Sequence, residues 1–272
     1  VNAKPKDDQN SNSERNANPN PRPYPTVSLY GVPFSKMDMQ ETVAFLAEAV
    51  ASRRPHRVVT GNPIMLSVGL ENPSFHRALA TAELVVPDGA GVVWAARHVK
   101  QPVKERVAGF DLMHELLREG DKRSWSVYLL GASAEIVETA YNNLKRQYPG
   151  VRFVGYRDGY FTDKEDGAVV AAVREANPDV LFVARATMNQ EPWIEKYQNV
   201  LGVPVVMGVG GSLDVVSGKL KRAPAIFRKL SLEWFYRLIQ EPSRYRRMLV
   251  LPRFALKVIK DGDKVLKASK PS

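Results

Sequence analysis

The chain has 272 residues, 44% of them hydrophobic, enough to bury a full core as one domain with appendages. It has no cysteine, which excludes disulfides, thiolate catalysis and Cys-ligated metals, and its four histidines (His56, His76, His98, His114) are scattered, so no metal site is expected. The net charge is +10, yet fifteen of the 39 Lys and Arg and only four of the 29 Asp and Glu lie from Lys219 onward, so the preceding chain is close to neutral.

Residues 1–25 are rich in Asn, Pro, Ser and charge and almost free of large apolar side chains, which predicts a disordered leader. From Thr26, β-rich runs alternate with helical patterns. Strands are expected at TVSLYGV (26–32), HRVVT (56–60), LVVP (84–87), SVYLLG (126–131), VRFVGY (151–156), VLFVA (180–184) and VPVVMGV (203–209). Helical periodicity marks MQETVAFLAEAVASR, AEIVETAYNNLKRQY, EDGAVVAAVREAN and NQEPWIEKYQNVL. Nearly continuous apolar strands alternating with helices predict a Rossmann-like, mostly parallel sheet covered by helices on both faces, spanning 26–218. Ligands of such sheets bind at the carboxyl ends of the strands.

After Gly218 the β signals stop, and residues 219–272 read as a basic helical appendage interrupted by Pro242 and Pro252. Its cations are interleaved with Phe227, Leu230, Trp234, Phe235, Tyr236, Leu238, Met248, Leu249 and Phe254, a mixture suited to an anionic membrane surface or a lipid-linked phosphate. No run approaches the length of a membrane span, so the expected location is cytoplasmic, peripheral on the inner face of the plasma membrane. Deleting the appendage is expected to abolish activity and leave a folded core. Off the membrane its apolar surface needs a cover, which makes a homo-oligomer possible.

Polar residues cluster at the predicted strand ends. Thr60-Gly61-Asn62-Pro63 places a hydroxyl and an amide beside free helix N–H groups, fit either to hold a phosphate or sugar hydroxyl or simply to cap the helix. Asp88, in Pro87-Asp88-Gly89-Ala90-Gly91, is either a general base or an ordinary Asp-Gly turn. The turn from Gly208 to Asp214, with Gly210 and Gly211, can cradle phosphate through backbone N–H groups, although it lacks the GxGxxG spacing and so argues against NAD. Tyr160 can stack on a base or sit partly in the core, and Gln190-Glu191 opens a predicted helix. Arg237, Arg244, Arg246 and Arg247 suit a diphosphate, a solvated helix face or a membrane patch.

In order, TGN (60–62), PDGAG (87–91), RVAGFDL (106–112), LLGA (129–132), GYF (159–161), QEPWI (190–194), GVGGSLD (208–214), KRAP (221–224) and LEWFYRLIQEPSRYRR (232–247) resemble the bacterial WecG/TagA/CpsF glycosyltransferases. The resemblance covers about residues 26–250. It implies transfer of a sugar from a UDP-sugar to undecaprenyl-diphosphate-linked GlcNAc, with inversion and without a metal or other cofactor. The sugar is N-acetylmannosamine in the teichoic acid branch and its uronic acid in the enterobacterial common antigen branch. By the same resemblance Asp88 is the base, Thr60 and Gln190 position sugar or acceptor, Asn62, Arg106, Tyr160 and Asp214 line the nucleotide-sugar pocket, and Arg237, Arg244 and Arg247 close over the diphosphate.

One segment departs from the family pattern. A basic residue usually precedes Gln190, where this chain has Asn189; the usual Gly and Pro are lost; and Arg185 stands where an apolar strand residue is expected. The departure leaves a different UDP-hexose or UDP-ManNAcA donor, or a UDP-sugar-binding protein without transfer, as alternatives. A nucleic-acid-binding protein is the remaining class suggested by charge, but the near-neutral α/β portion carries no nucleic-acid motif, so no nucleic-acid partner is expected.

Overall fold

The computed structural model describes residues 22–229 and 232–267, with the side chains of Arg228, Lys229, Arg244 and Arg247 outside the description. Eight strands form one sheet: β1 (Thr26–Leu29), β2 (Val32–Ser35), β3 (His56–Gly61), β4 (Leu84–Pro87), β5 (Ser126–Gly131), β6 (Arg152–Arg157), β7 (Val180–Ala184) and β8 (Val205–Gly208). Their order is β1-β2-β4-β3-β8-β7-β5-β6, and every pairing is parallel except β1 with β2.

The helices are α1 (Met39–Ala51), α2 (Pro63–Glu71), α3 (Pro73–Ala80), α4 (Ala90–His98), α5 (Gly109–Arg123), α6 (Ala134–Gln147), α7 (Asp166–Ala176), α8 (Thr187–Leu201) and α9 (Ser212–Val216). The tail adds α10 (Ala225–Lys229), α11 (Glu233–Gln240), α12 (Tyr245–Met248) and α13 (Val250–Asp261), with single 3-10 turns at Pro242–Arg244 and Gly262–Leu266.

The single strand expected over 26–32 is a hairpin. Leu29 pairs with Val32 across a two-residue turn in which Tyr30 and Gly31 have φ of 51° and 81°. Positive φ at both central residues matches the twist of an antiparallel pair, so the chain reverses where a β-rich run suggested continuity.

Strand residues alternate between two covered faces. Val58, Leu84, Val86, Leu129, Phe182 and Met207 pack with side chains of α1, α5, α6 and α9 on one. On the other, Val59 and Val85 meet α2, α3, α4 and α13, while Leu130, Leu181, Val183 and Val206 meet α7 and α8.

The tail is part of this core. Phe254, Val258 and Val265 are buried among Val27, Leu29 and Tyr30, the Tyr30 N–H donates to the Val265 carbonyl (2.7 Å), and the Tyr30 hydroxyl donates to Asp261 (3.0 Å). α13 thus covers apolar surface of the sheet's β1 edge, a contact that the reading of 219–272 as an appendage did not anticipate. At the other end of the chain, residues 1–21 of the expected leader lie outside the described residues. Within it, Tyr24 is buried and Arg22 donates to the carbonyls of Glu83 (2.7 Å) and Ala80 (3.1 Å).

Candidate active site

Parallel register brings the polar strand ends to one edge. Gly61 pairs with Pro87, Val183 with Gly208 and Gly131 with Ala184, so the segments after β3, β4, β5, β7 and β8 emerge side by side. β3 has β4 on one side and β8, the last strand in sequence, on the other. This is the kind of reversal in strand order where open α/β sheets hold ligands.

Asp88 sits at the end of β4, half-buried, its N–H bonded to the Gly61 carbonyl (2.9 Å). Its Oδ2 accepts the N–H of Gly109 (3.1 Å), the first residue of α5. Burial pushes the carboxyl up from the ordinary 3.8 to about 6; the Gly109 N–H and the Arg106 charge oppose that rise, while Glu233 and Asp111 add to it. At neutral pH such a group is mostly ionised yet more basic than a free aspartate, which suits a general base.

Gly109 permits this approach. A Cβ there would fall 2.7 Å from Thr60 Cγ2 and 3.3 Å from Asp88 Oδ2, so only a glycine lets α5 start against both side chains. Thr60 reaches the Gly208 carbonyl at 3.5 Å, linking the β3 end to the glycine turn after β8. Asn62 caps α2, its Oδ1 accepting from Ile64 N (3.0 Å) and Met65 N (3.1 Å), the plainer of the two roles expected for it.

Gln190 is 4% exposed and bound on both ends of its amide. Its Oε1 accepts from Gly210 N (3.1 Å) and Arg185 N (3.3 Å), and its Nε2 donates to Glu191 Oε1 (2.7 Å). The side chain thus fixes the glycine turn from below. Glu191 is buried with it, and desolvation lifts its carboxyl to about 7 against the hydrogen bond from Gln190 and the charge of Arg57.

The tail returns to this edge through α11. Glu233 pairs with Arg106, and one turn later Arg237 lies on Gly211, where a Cβ would meet Arg237 Nη2 at 2.2 Å and Asp214 Oδ2 at 3.4 Å. Arg237 also has Glu241 at 3.6 Å. Upstream, Arg222 pairs with Asp111 and lies over the Phe110 ring, 4.6 Å from its centroid.

Thr60, Asn62, Asp88 and Arg106 therefore gather around β3 and β4, and Gln190, Gly210, Gly211, Asp214 and Arg237 around the β8 turn. Tyr160 stands apart, 82% exposed beyond the end of β6. The side chains of Arg244 and Arg247 lie outside the described ones. Sequence reasoning passed over Gly109, although RVAGFDL contains it, and Glu233, whose only signal is an acidic residue opening a helix in a basic segment. Among the described residues, no three His, Asp or Glu side chains converge on a point that could hold a metal ion.

The glycosyl transferase WecG/TagA/CpsF family matches residues 27–267. Among similar proteins, the N-acetylglucosaminyldiphosphoundecaprenol N-acetyl-beta-D-mannosaminyltransferase of Bacillus spizizenii is 38% identical over 203 residues, 75% of this chain and 78% of that protein. The protein of the same name from Bacillus subtilis is 33% identical over 87% of this chain and 92% of its own length. That of Staphylococcus aureus strain MW2 is 36% identical over 89% and 95%. A match from the first strand into the tail that returns to the strand ends leaves one assignment: the chain belongs to the WecG/TagA/CpsF family of glycosyltransferases.

Proposed function

We propose that the chain transfers N-acetylmannosamine from a UDP-linked donor to undecaprenyl-diphosphate-linked GlcNAc, with inversion and without a metal ion. The observation that carries the reading is Asp88: a carboxyl raised to about 6 at the ligand-binding edge of the sheet, in a chain whose relatives are named for that transfer. In one displacement the acceptor hydroxyl gives its proton to Asp88, its oxygen bonds to the anomeric carbon, and the bond from that carbon to the diphosphate oxygen breaks. The charge left on UDP is met by Arg237, which lies on Gly211, with Arg106 held close by Glu233; the N–H groups of Val209 and Gly210 are spent on Val183 and Gln190, so the turn shapes the site rather than cradling phosphate through them. Thr60 and Asn62 form the floor beside the base. Gln190 acts by holding the turn, and Asp214 completes the nucleotide side.

The same reading makes the Rossmann-like sheet the donor platform and the basic tail its contact with the membrane. Among the described residues no helix is long and apolar enough to cross a bilayer. The tail exposes Ile226, Trp234, Phe235, Ile239, Tyr245, Leu249, Leu256 and Ile259 among its cations, a surface suited to lying on the anionic inner leaflet, or to a second copy in solution.

The test is UDP release from UDP-ManNAc in the presence of a synthetic GlcNAc-diphospholipid, with and without EDTA. Acceptor-dependent release that survives EDTA and falls roughly 100-fold or more in Asp88→Asn supports the proposal. Release without acceptor, or full activity in Asp88→Asn, refutes it.

A further inference from the structure

We propose that Arg185 binds the diphosphate of the nucleotide-sugar donor. The assignment rests on the donor reading above and extends it to a residue given no role there.

Arg185 is the first residue beyond the wholly buried run Val180–Ala184, and so emerges at the ligand edge between the ends of β5 and β8. Its N–H shares the Gln190 Oε1 with Gly210 N, so its backbone is fixed to the same amide as the glycine turn after β8. The side chain runs over the 159–161 loop: a Cβ on Gly159 would lie 3.4 Å from Arg185 Cγ. Its guanidinium stacks on Phe161, with Cζ 4.1 Å from the ring centroid, and donates one long hydrogen bond (3.4 Å) to the Phe161 carbonyl.

That leaves most of a five-donor fork without a protein acceptor. Among the described residues no carboxylate lies within ion-pair distance of it, whereas neighbouring Arg157, also over Phe161 at 5.7 Å, is paired with Glu165 at 3.4 Å. The acidic groups whose charge acts on it are Asp166 and Asp163. Asp166 is engaged by Trp193 (2.9 Å), Tyr197 (2.7 Å) and Lys196 (3.4 Å). Desolvation lowers the pKa of Arg185, so its charge is partly stripped of water without a counter-ion taking water's place. A planar cation fixed by an aromatic face, its donors unspent, matches the bidentate geometry of phosphate and carboxylate.

The experiment measures binding of uridine, UMP and UDP to the full chain by calorimetry, and KM for UDP-ManNAc and UDP-ManNAcA, in the wild type, Arg185→Leu and Arg185→Lys. Melting temperatures are taken on each. The expected result is that UDP weakens roughly ten- to hundredfold in Arg185→Leu, uridine is unchanged and Arg185→Lys recovers part of the loss. UDP binding that holds while only the KM for UDP-ManNAcA rises overturns the assignment, because it places Arg185 on a sugar carboxylate that N-acetylmannosamine lacks. Equal affinities and unchanged KM in both variants overturn the assignment. So does a loss shared equally by uridine and UDP with a lower melting temperature, which marks Arg185 as a support for Phe161. Should Arg185→Leu fail to fold, Arg185→Lys decides alone, because it keeps the charge and loses the fork. A wild type that binds no uridine nucleotide overturns the donor reading and this inference together; UDP binding and KM values identical in wild type and variants overturn this inference only.

Discussion

Replacing Asp88 with Asn should stabilise the protein at pH 8 and leave its stability at pH 4 unchanged, while removing activity. The folded carboxyl ionises near 6 and the unfolded one near 3.8. Between those values the folded state holds the proton more tightly, so wild-type stability falls as pH rises from about 4 to about 6 and stays lower above it. The full cost of ionising Asp88 in the folded protein is about 3 kcal/mol, taken as a ceiling because the group is only half-buried. The neutral amide of the variant carries no such cost and can still accept the Gly109 N–H. At about 2–4 °C per kcal/mol for a domain of this size, Asp88→Asn should melt up to roughly 10 °C higher at pH 8. Differential scanning calorimetry at pH 4, 5, 6, 7 and 8 reads the difference, and kcat/KM of the wild type should fall about tenfold per pH unit below about 6. A melting difference that does not vary with pH, or a wild-type rate that is flat down to pH 4.5, would show that burial does not raise this carboxyl.

Glu191→Gln should show the same pH-dependent gain with its midpoint displaced upward, because Glu191 moves from 4.5 to about 7; equal melting of variant and wild type at pH 8 would count against it. Gly109→Ala gains about 1 kcal/mol of helix propensity but sets a methyl 2.7 Å from Thr60, and overpacking of about 1–3 kcal/mol should win. Urea denaturation should therefore report net destabilisation, with a lower kcat. Truncation after Gly218 uncovers the surface filled by Phe254, Val258 and Val265, at about 1.5–3 kcal/mol each, comparable to a domain's whole stability. Circular dichroism and solubility of the truncated chain should show loss of fold; a cooperative melt like that of the full chain would refute the packing argument. Glu233→Gln should release Arg106 and speed hydrogen exchange across Glu233–Gln240, read by mass spectrometry.

Much of the site was legible because the sheet is parallel. Apolar runs marked the strands, and in a parallel sheet every strand's polar exit reaches the same edge, so Thr60, Asp88 and the glycine turn could be grouped without knowing a single distance. The helices over 63–71, 73–80, 90–98 and 109–123 were less legible, since their apolar positions are short or broken by Gly and Pro. The Tyr30–Gly31 reversal was hidden within a β-rich run. Gln190 illustrates the other limit: the family resemblance implies a group that positions substrate, yet both ends of its amide are spent inside the protein, and only packing decides that.

The sequence by itself determined the α/β class, the family and the strand-end residues, because local periodicity and turn chemistry are written in neighbouring positions. Tertiary structure decided which groups meet over long separations: Glu233 with Arg106, Arg237 on Gly211, Gly109 against Asp88, and α13 against β1. Those contacts depend on register, on the space a missing Cβ leaves and on how much water burial removes. None of these is a property of a residue alone, and the same physics sets Asp88 near 6 rather than 3.8.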